Sequence, residues 1–202
     1  MGFKIVLIGG FSEIIELCQE LDYHEISVID RADVGRGTVF LGTDESIQET
    51  IHEIVDVGFC ITPDIPRTRE KIYRFYSKQN ITYPSLISRN ARVSASAQVG
   101  WGTVIQYGSF VSSDVVIGTF VKLNVNACVM HDSAIGDFST LAPTCTILGN
   151  VTIGKYCYVG TAATILPGVS ICDDVTVGAG AVVTKNITQP GVYIGVPAVK
   201  IK

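Results

Sequence analysis

Every sixth residue from Ile87 to Val183 is aliphatic: Ile87, Val93, Val99, Ile105, Val111, Ile117, Leu123, Val129, Ile135, Leu141, Ile147, Ile153, Val159, Ile165, Ile171, Val177 and Val183. Chance does not sustain such a run. Four residues after each comes a small or β-branched residue, for example Ala91, Ala97, Thr103, Ser109, Val115, Val121, Ala127, Ser133 and Ser139, so a second inward position must be narrow. A period of six is the hexapeptide signature of a parallel β-helix, in which a repeat buries its apolar side only by stacking on its neighbours.

The pattern resembles the left-handed hexapeptide-repeat prism, where three hexads close one triangular coil and side chains 18 positions apart stack in columns. Gly100, Gly118, Gly136 and Gly154 form one such column, and Phe120, Phe138 and Tyr156 another. The glycines are expected at corners needing unusual dihedrals, and the aromatics in a structural ladder. Nearly six coils at roughly 4.8 Å each give a prism about 27 Å long.

The repeat explains the composition. The chain holds 25 Val and 24 Ile against 9 Leu, and 17% of its residues are charged, where about 25% is usual. The deficit is local. Residues 1–86 carry 22 charged side chains with net charge −6 and all the glutamates, whereas residues 87–202 carry 12 with net charge +2. Glutamate favours helices over strands, so the shift marks a change of architecture, and we divide the chain into domains 1–84 and 85–202. Uncharged prism flanks mark an interaction surface, and three-fold packing suits a triangular prism, so a homotrimer is expected. A net charge of −4 without a Lys/Arg cluster argues against nucleic-acid binding. The longest apolar run near the start, Ile5 to Ile8, is far short of the ~18 residues of a membrane span, and no cleavable signal precedes it. A soluble, cytoplasmic protein with no membrane partner is expected. Six cysteines without a CxxC pair read as reduced and mostly buried.

The first domain alternates as a small Rossmann-like α/β unit with a parallel sheet. Lys4–Ile8 reads as a strand ending at Gly9-Gly10, Ser12–Leu21 as an amphipathic helix, Glu25–Asp30 as a second strand, Glu45–Val55 as a second amphipathic stretch, Val57–Ile61 as a third strand and Asp64–Lys78 as a third helix. Asp64 is the expected cap of that helix, with Pro66 in its first turn. Ligands of such sheets lie at the carboxyl ends of the strands.

His131 is the one histidine of the prism. Stacking places Ser113 beneath it and Gly149 above it, and sets Asp132 between Asp114 and Asn150. A neutral imidazole beside a carboxylate, with a glycine N–H one coil away, has the parts for acyl transfer: base, orienting acid and oxyanion donor. An interface histidine without chemistry fits the repeat equally well. Hexapeptide-repeat carbonic anhydrases hold zinc through three histidines, which this prism lacks, so no metal site is expected.

These residues resemble the bacterial sugar O- and N-acetyltransferases that act on sialic acids or on nucleotide-linked 4-amino sugars. The resemblance rests on Lys4–Gly10, the prism, the runs Val129–Asp137 and Leu148–Gly154, and the ending Gly195–Ala198. It implies acetyl-CoA as co-substrate and a trimer with acetyl-CoA between adjacent prisms. It also implies His131 as general base oriented by Asp132, and Gly149 as donor to the thioester carbonyl. Gly160, Thr161, Gly178 and Ala179 would line the coenzyme path, and Asn124 would position the substrates. The nucleotide turn would be Gly9, Gly10, Phe11 and Ser12, with Asp30-Arg31 as the acidic element and Arg31 on phosphate. The family's turn has a later glycine and a histidine where this chain has Ser12-Glu13, and Glu13 weakens nucleotide binding in the usual mode. Thr140 replaces a histidine that often contacts the ligands. The leading expectation is N-acetylation of a nucleotide-linked amino sugar in surface polysaccharide or glycan synthesis. The alternatives are O-acetylation of a sialic-acid-type sugar and a non-catalytic trimeric scaffold that binds sugar nucleotides.

Overall fold

The computed structural model describes residues 3–54 and 56–202. The N-terminal part is a four-stranded parallel sheet of β1 (Phe3–Ile8), β2 (Tyr23–Ile29), β3 (Val39–Gly42) and β4 (Gly58–Ile61) in the order β3-β2-β1-β4. Helix α1 (Ser12–Glu20) buries Ile14, Ile15, Leu17 and Cys18 against Ile5 and Leu7, the residues on one side of β1. Val6 and Ile8 point the other way, toward Ile47, Ile51 and Tyr76, the last of these from helix α2 (Pro66–Tyr76).

Three expectations for this part need correction. The stretch from Glu45 is not an α-helix but two short 3-10 turns, Ser46–Glu49 and Ile51–Glu53, and Val55 lies outside the described residues. Thr43 and Ser46 hydrogen-bond each other's backbone N–H at 3.3 and 2.9 Å, a local alternative to helix, while β-branched Ile47, Thr50, Ile51 and Ile54 disfavour it. The buried Ile47 and Ile51 supplied the helical pattern. Secondly, Val39–Gly42 is a strand the sequence reading did not mark, which makes Gly58–Ile61 the fourth. Thirdly, α2 starts after Ile65 with Pro66 in its first turn and no side-chain cap. The carboxylate of Asp64 instead lies 2.8 Å from Lys122 Nζ.

From Leu86 the chain winds as a triangular prism. Each expected aliphatic residue ends a short strand, and each strand pairs in parallel with the strand 18 residues on, as Val129 does with Ile147 and Leu123 with Leu141. Three faces result. The first contains Ile87, Ile105, Leu123, Leu141, Val159 and Val177, the second Val93, Val111, Val129, Ile147, Ile165 and Val183, and the third Val99, Ile117, Ile135, Ile153 and Ile171. The narrow inward positions are also as expected: Ser109, Ser133 and Ser139 are buried and bond the carbonyls of Asn124, Leu148 and Gly154.

The glycine column has a different cause from the one expected. Gly100, Gly118, Gly136 and Gly154 are absent from the left-handed region, which falls two residues later, at Gly102, Phe120, Phe138 and Tyr156. A Cβ on Gly100 would stand 2.5 Å from the carbonyl carbon of Gly118, and one on Gly136 equally close to that of Gly154. Close approach of successive coils excludes a side chain. The aromatic column does stack, with ring centroids 5.0 Å apart for Phe120 and Phe138 and 5.7 Å for Phe138 and Tyr156.

The two parts are joined by buried polar contacts. Arg69 on α2 is 1% exposed and donates to the carbonyls of Pro63 and Asp64 in its own part and of Phe120, Phe138 and Ser139 in the prism. Burial pushes its guanidinium pKa down to about 10. Nearby, Arg67 binds Asp174 through Nε and Nη2, at 2.8 and 2.5 Å, and lies over the Tyr156 ring.

Candidate active site

His131 and Asp132 occupy the corner between the second and third faces. His131 Nδ1 lies 2.8 Å from Asp132 Oδ2, with both side chains about half exposed. The corner fixes both residues: Asp132 adopts φ +56°, its N–H donates to Ser113 at 3.1 Å, and the His131 carbonyl accepts from Asn150 N–H at 3.0 Å. With Nδ1 on the carboxylate, Nε2 is left to face a ligand. Gly149 lies where stacking puts it, since a Cβ there would be 2.7 Å from His131 Cε1 and Nε2. Among the described residues, the Gly149 N–H makes no hydrogen bond.

The turn after β1 is held from three sides. Gly9 adopts φ +99° and accepts Thr62 Oγ1 at 2.8 Å, and a Cβ on Gly9 would be 2.4 Å from that oxygen. Gly10 N–H donates to Asp30 Oδ2 at 2.7 Å, while Asp30 Oδ1 takes the Arg31 N–H at 2.6 Å. The Asp30 carboxylate therefore braces the turn. Phe11 precedes α1, and its carbonyl accepts the N–H groups of Ile14 and Ile15. Those of Phe11, Ser12 and Glu13 make no bond among the described residues, which suits the start of a helix to an anion.

Asn124, Gly160, Thr161, Gly178 and Ala179 share a different corner, between the first and second faces. Thr161 and Ala179 are exposed. Gly160 and Gly178 have reasons within the fold, because a Cβ would meet Ala179 N at 2.6 Å and Ile194 Cγ2 at 2.7 Å respectively. Asn124 is buried, with Nδ2 3.4 Å from Asp64 Oδ1. The structure thus gathers the expected site residues in two groups: His131, Asp132 and Gly149 on one edge of the prism, and Asn124 with the glycine corners on another, beside the Gly9 turn. Thr140 is fully buried and donates to the Asp64 carbonyl at 2.6 Å; it fastens the two parts together. The sequence reading did not single out Lys122 or its pairing with Asp64. One signal was present: Lys122 is the one Lys or Arg between Arg92 and Lys155, set among aliphatic side chains.

Residues 150–185 match the bacterial transferase hexapeptide family (six repeats). No curated protein matches the chain. Among solved structures, PerB from Caulobacter crescentus in complex with CoA and GDP-perosamine is 26% identical with a TM-score of 0.91, over 98% of this chain and 97% of that one. The acetyltransferase domain of PglB from Neisseria gonorrhoeae is 28% identical with a TM-score of 0.92, over 98% and 99%. WeeI from Acinetobacter baumannii is 26% identical with a TM-score of 0.89, over 98% and 100%. The repeat and the left-handed β-helix are those of a hexapeptide-repeat acyltransferase. Within that class, the chain is similar over nearly its whole length to PerB, to the PglB acetyltransferase domain and to WeeI. Among the described residues, no helix is long and apolar enough to cross a membrane.

Proposed function

We propose that the protein transfers the acetyl group of acetyl-CoA to the amine of a nucleotide-linked amino sugar, of the 4-amino type, for surface polysaccharide or glycan synthesis. It works as a homotrimer in the cytoplasm, with residues 1–84 binding the sugar nucleotide and 85–202 carrying the transfer. The end-to-end likeness to PerB, whose structure holds CoA and GDP-perosamine, supports the substrates. The observation that carries the chemistry is the 2.8 Å contact of His131 Nδ1 with Asp132, beside Gly149.

Acetyl-CoA supplies the acetyl group as a thioester. His131 takes the amine proton at Nε2, as a neutral imidazole acting as general base does. Asp132 fixes the ring tautomer and stabilises the imidazolium. The Gly149 N–H donates to the acetyl oxygen as it gains charge. Gly9, Gly10, Phe11, Ser12, Asp30 and Arg31 hold the nucleotide, Asn124 positions the acceptor, and Gly160, Thr161, Gly178 and Ala179 line the coenzyme path. Separation of His131 and Asn124 onto different edges supports a site completed between prisms.

Purified protein with acetyl-CoA and a panel of nucleotide-linked 4-amino sugars should release free thiol, and mass spectrometry should find an amide. His131→Ala should cost about 10²–10⁴ in rate. A loss of only a few fold would remove His131 as base.

A further inference from the structure

Between the first prism face and the N-terminal part lies a charged group that the coil geometry does not require. Lys122 points out of that face and is 1% exposed, with Nζ 2.9 Å from the Thr62 carbonyl, 2.8 Å from Asp64 Oδ1 and 3.9 Å from Glu13 Oε1. The Phe11 ring lies 5.4 Å from it. A buried ammonium carries a desolvation cost that an apolar side chain of similar size avoids, so stability does not explain the pair. Its effect is to fix one oxygen of a carboxylate. Asp64 Oδ1 faces Lys122 and, at 3.4 Å, Asn124 Nδ2, while Oδ2 accepts no hydrogen bond among the described residues and the side chain is 39% exposed. The backbone behind it is held as firmly, since the Asp64 carbonyl accepts from Arg69 at 2.9 Å and Thr140 at 2.6 Å.

Placement matters as much as charge. Asp64 lies over Thr140, with Lys122 one coil earlier in the same outward column and Tyr158 one coil later. Burial first, and then the Asp64 charge, raise the Tyr158 phenol pKa. The neighbouring column carries Asn124 and Gly160, and Thr62 joins Asp64 to the Gly9 turn. Asp64 therefore sits between the nucleotide turn and the coenzyme wall, where an acetyl acceptor has to lie. A second observation falls on this edge. Gln106, 6% exposed and one coil before Asn124, has an Nε2 without any hydrogen-bond partner. An orphaned buried donor of this kind carries a desolvation cost unless a ligand or water takes it.

We infer that Asp64, held by Lys122 and Asn124, receives the ammonium of the acceptor sugar on its free Oδ2 and makes the site select an amine over a hydroxyl; this rests on the acetyltransferase reading above. A charge-assisted hydrogen bond is roughly twice as strong as a neutral one, so an ammonium gains more at Oδ2 than a hydroxyl does. The amine arrives protonated and gives one proton to Nε2 of the His131 that an adjacent prism brings to this edge. Its freed lone pair forms the C–N bond as the thioester C–S bond breaks, and the electron pair leaves on sulfur. The remaining amine proton lost on forming the amide protonates the thiolate. Lys122 and Arg69 are positioning residues for Asp64.

The test uses the nucleotide-linked 4-amino sugar that turns over fastest in the thiol assay, its 4-hydroxyl counterpart as a competitive inhibitor, and the variant Asp64→Asn. KM for the amino sugar should rise about tenfold or more, the equivalent of 1.4 kcal/mol, with kcat within a few fold and acetyl-CoA affinity unchanged. On the wild-type enzyme the hydroxyl analogue should bind about tenfold more weakly than the amine, and Asp64→Asn should erase that gap. An unchanged KM in a variant that still binds acetyl-CoA would overturn the assignment. So would equal affinity of the wild type for both analogues, a comparison that decides the matter even if the variant does not fold. Absence of thiol release with every amino sugar would instead overturn the acetyltransferase reading, and this inference with it.

Discussion

The Cβ that residue 149 lacks would stand 2.7 Å from Nε2 of His131. The imidazole thus rests against the backbone of the next coil, with Nε2, the atom proposed to take the proton, on the Gly149 side and Nδ1 held by Asp132.

Gly149→Ala should therefore fold and stack normally, since Gly149 is not among the left-handed residues, yet displace the ring. Misplacement of a reacting group by about 1 Å costs on the order of 10² in rate. Steady-state kinetics should show that loss in kcat, with acetyl-CoA affinity measured by calorimetry retained within a few fold.

Gly136→Ala tests close approach against dihedral need. Its Cβ would stand 2.5 Å from the Gly154 carbonyl carbon, so the coils must separate. Overpacking of this kind costs about 1–3 kcal/mol, to be read as a lower midpoint in denaturant. A neutral effect would show that the coils yield.

Arg69→Met removes the donor shared by five carbonyls, those of Pro63, Asp64, Phe120, Phe138 and Ser139. Asp64 keeps Thr140 and Ser139 keeps the Lys122 N–H, so three acceptors, Pro63, Phe120 and Phe138, are left unpaired; each costs about 1–3 kcal/mol, and a loss above ~3 kcal/mol is expected. Hydrogen exchange should locate the damage at the 62–65 loop and the Phe120 and Phe138 corners.

Glu70 offers a pH handle. The Arg67 guanidinium, followed by Arg74 once the opposing effect of burial is set against it, holds its carboxyl below the usual range. A depressed folded-state pKa contributes stability above the unfolded value of about 4.3 and loses it as pH falls through the folded value. Glu70→Gln should melt earlier than wild type at pH 7, and the gap should close as the pH drops below about 4. A gap constant with pH would show that the ion pair adds nothing.

The prism was legible because its signal repeats. An aliphatic residue at every sixth position and a stack at every eighteenth fix face, coil and column for each residue, which is why His131, Asp132 and Gly149 meet as expected. The N-terminal part was less legible because its elements are short and single. Ile47 and Ile51 have helical spacing but sit on 3-10 turns. Asp64 looked like a helix cap because its partner Lys122 is nearly sixty residues away, a pairing that local pattern does not contain. Lys122 itself was visible as a charge among aliphatics, though nothing nearby in the chain said what would neutralise it.

The eighteen-residue stacking of His131 on Gly149 also limits how this chain can vary. Removing one residue anywhere from 88 to 130 would shift the register of every coil that follows, turning aliphatic side chains outward and moving His131 off its edge. Removing a whole coil would leave each later side chain on the same edge, one strand spacing lower. Deletions along the strands therefore keep the register only in steps of eighteen, and the height of the His131 edge above the Gly9 turn is counted in whole coils.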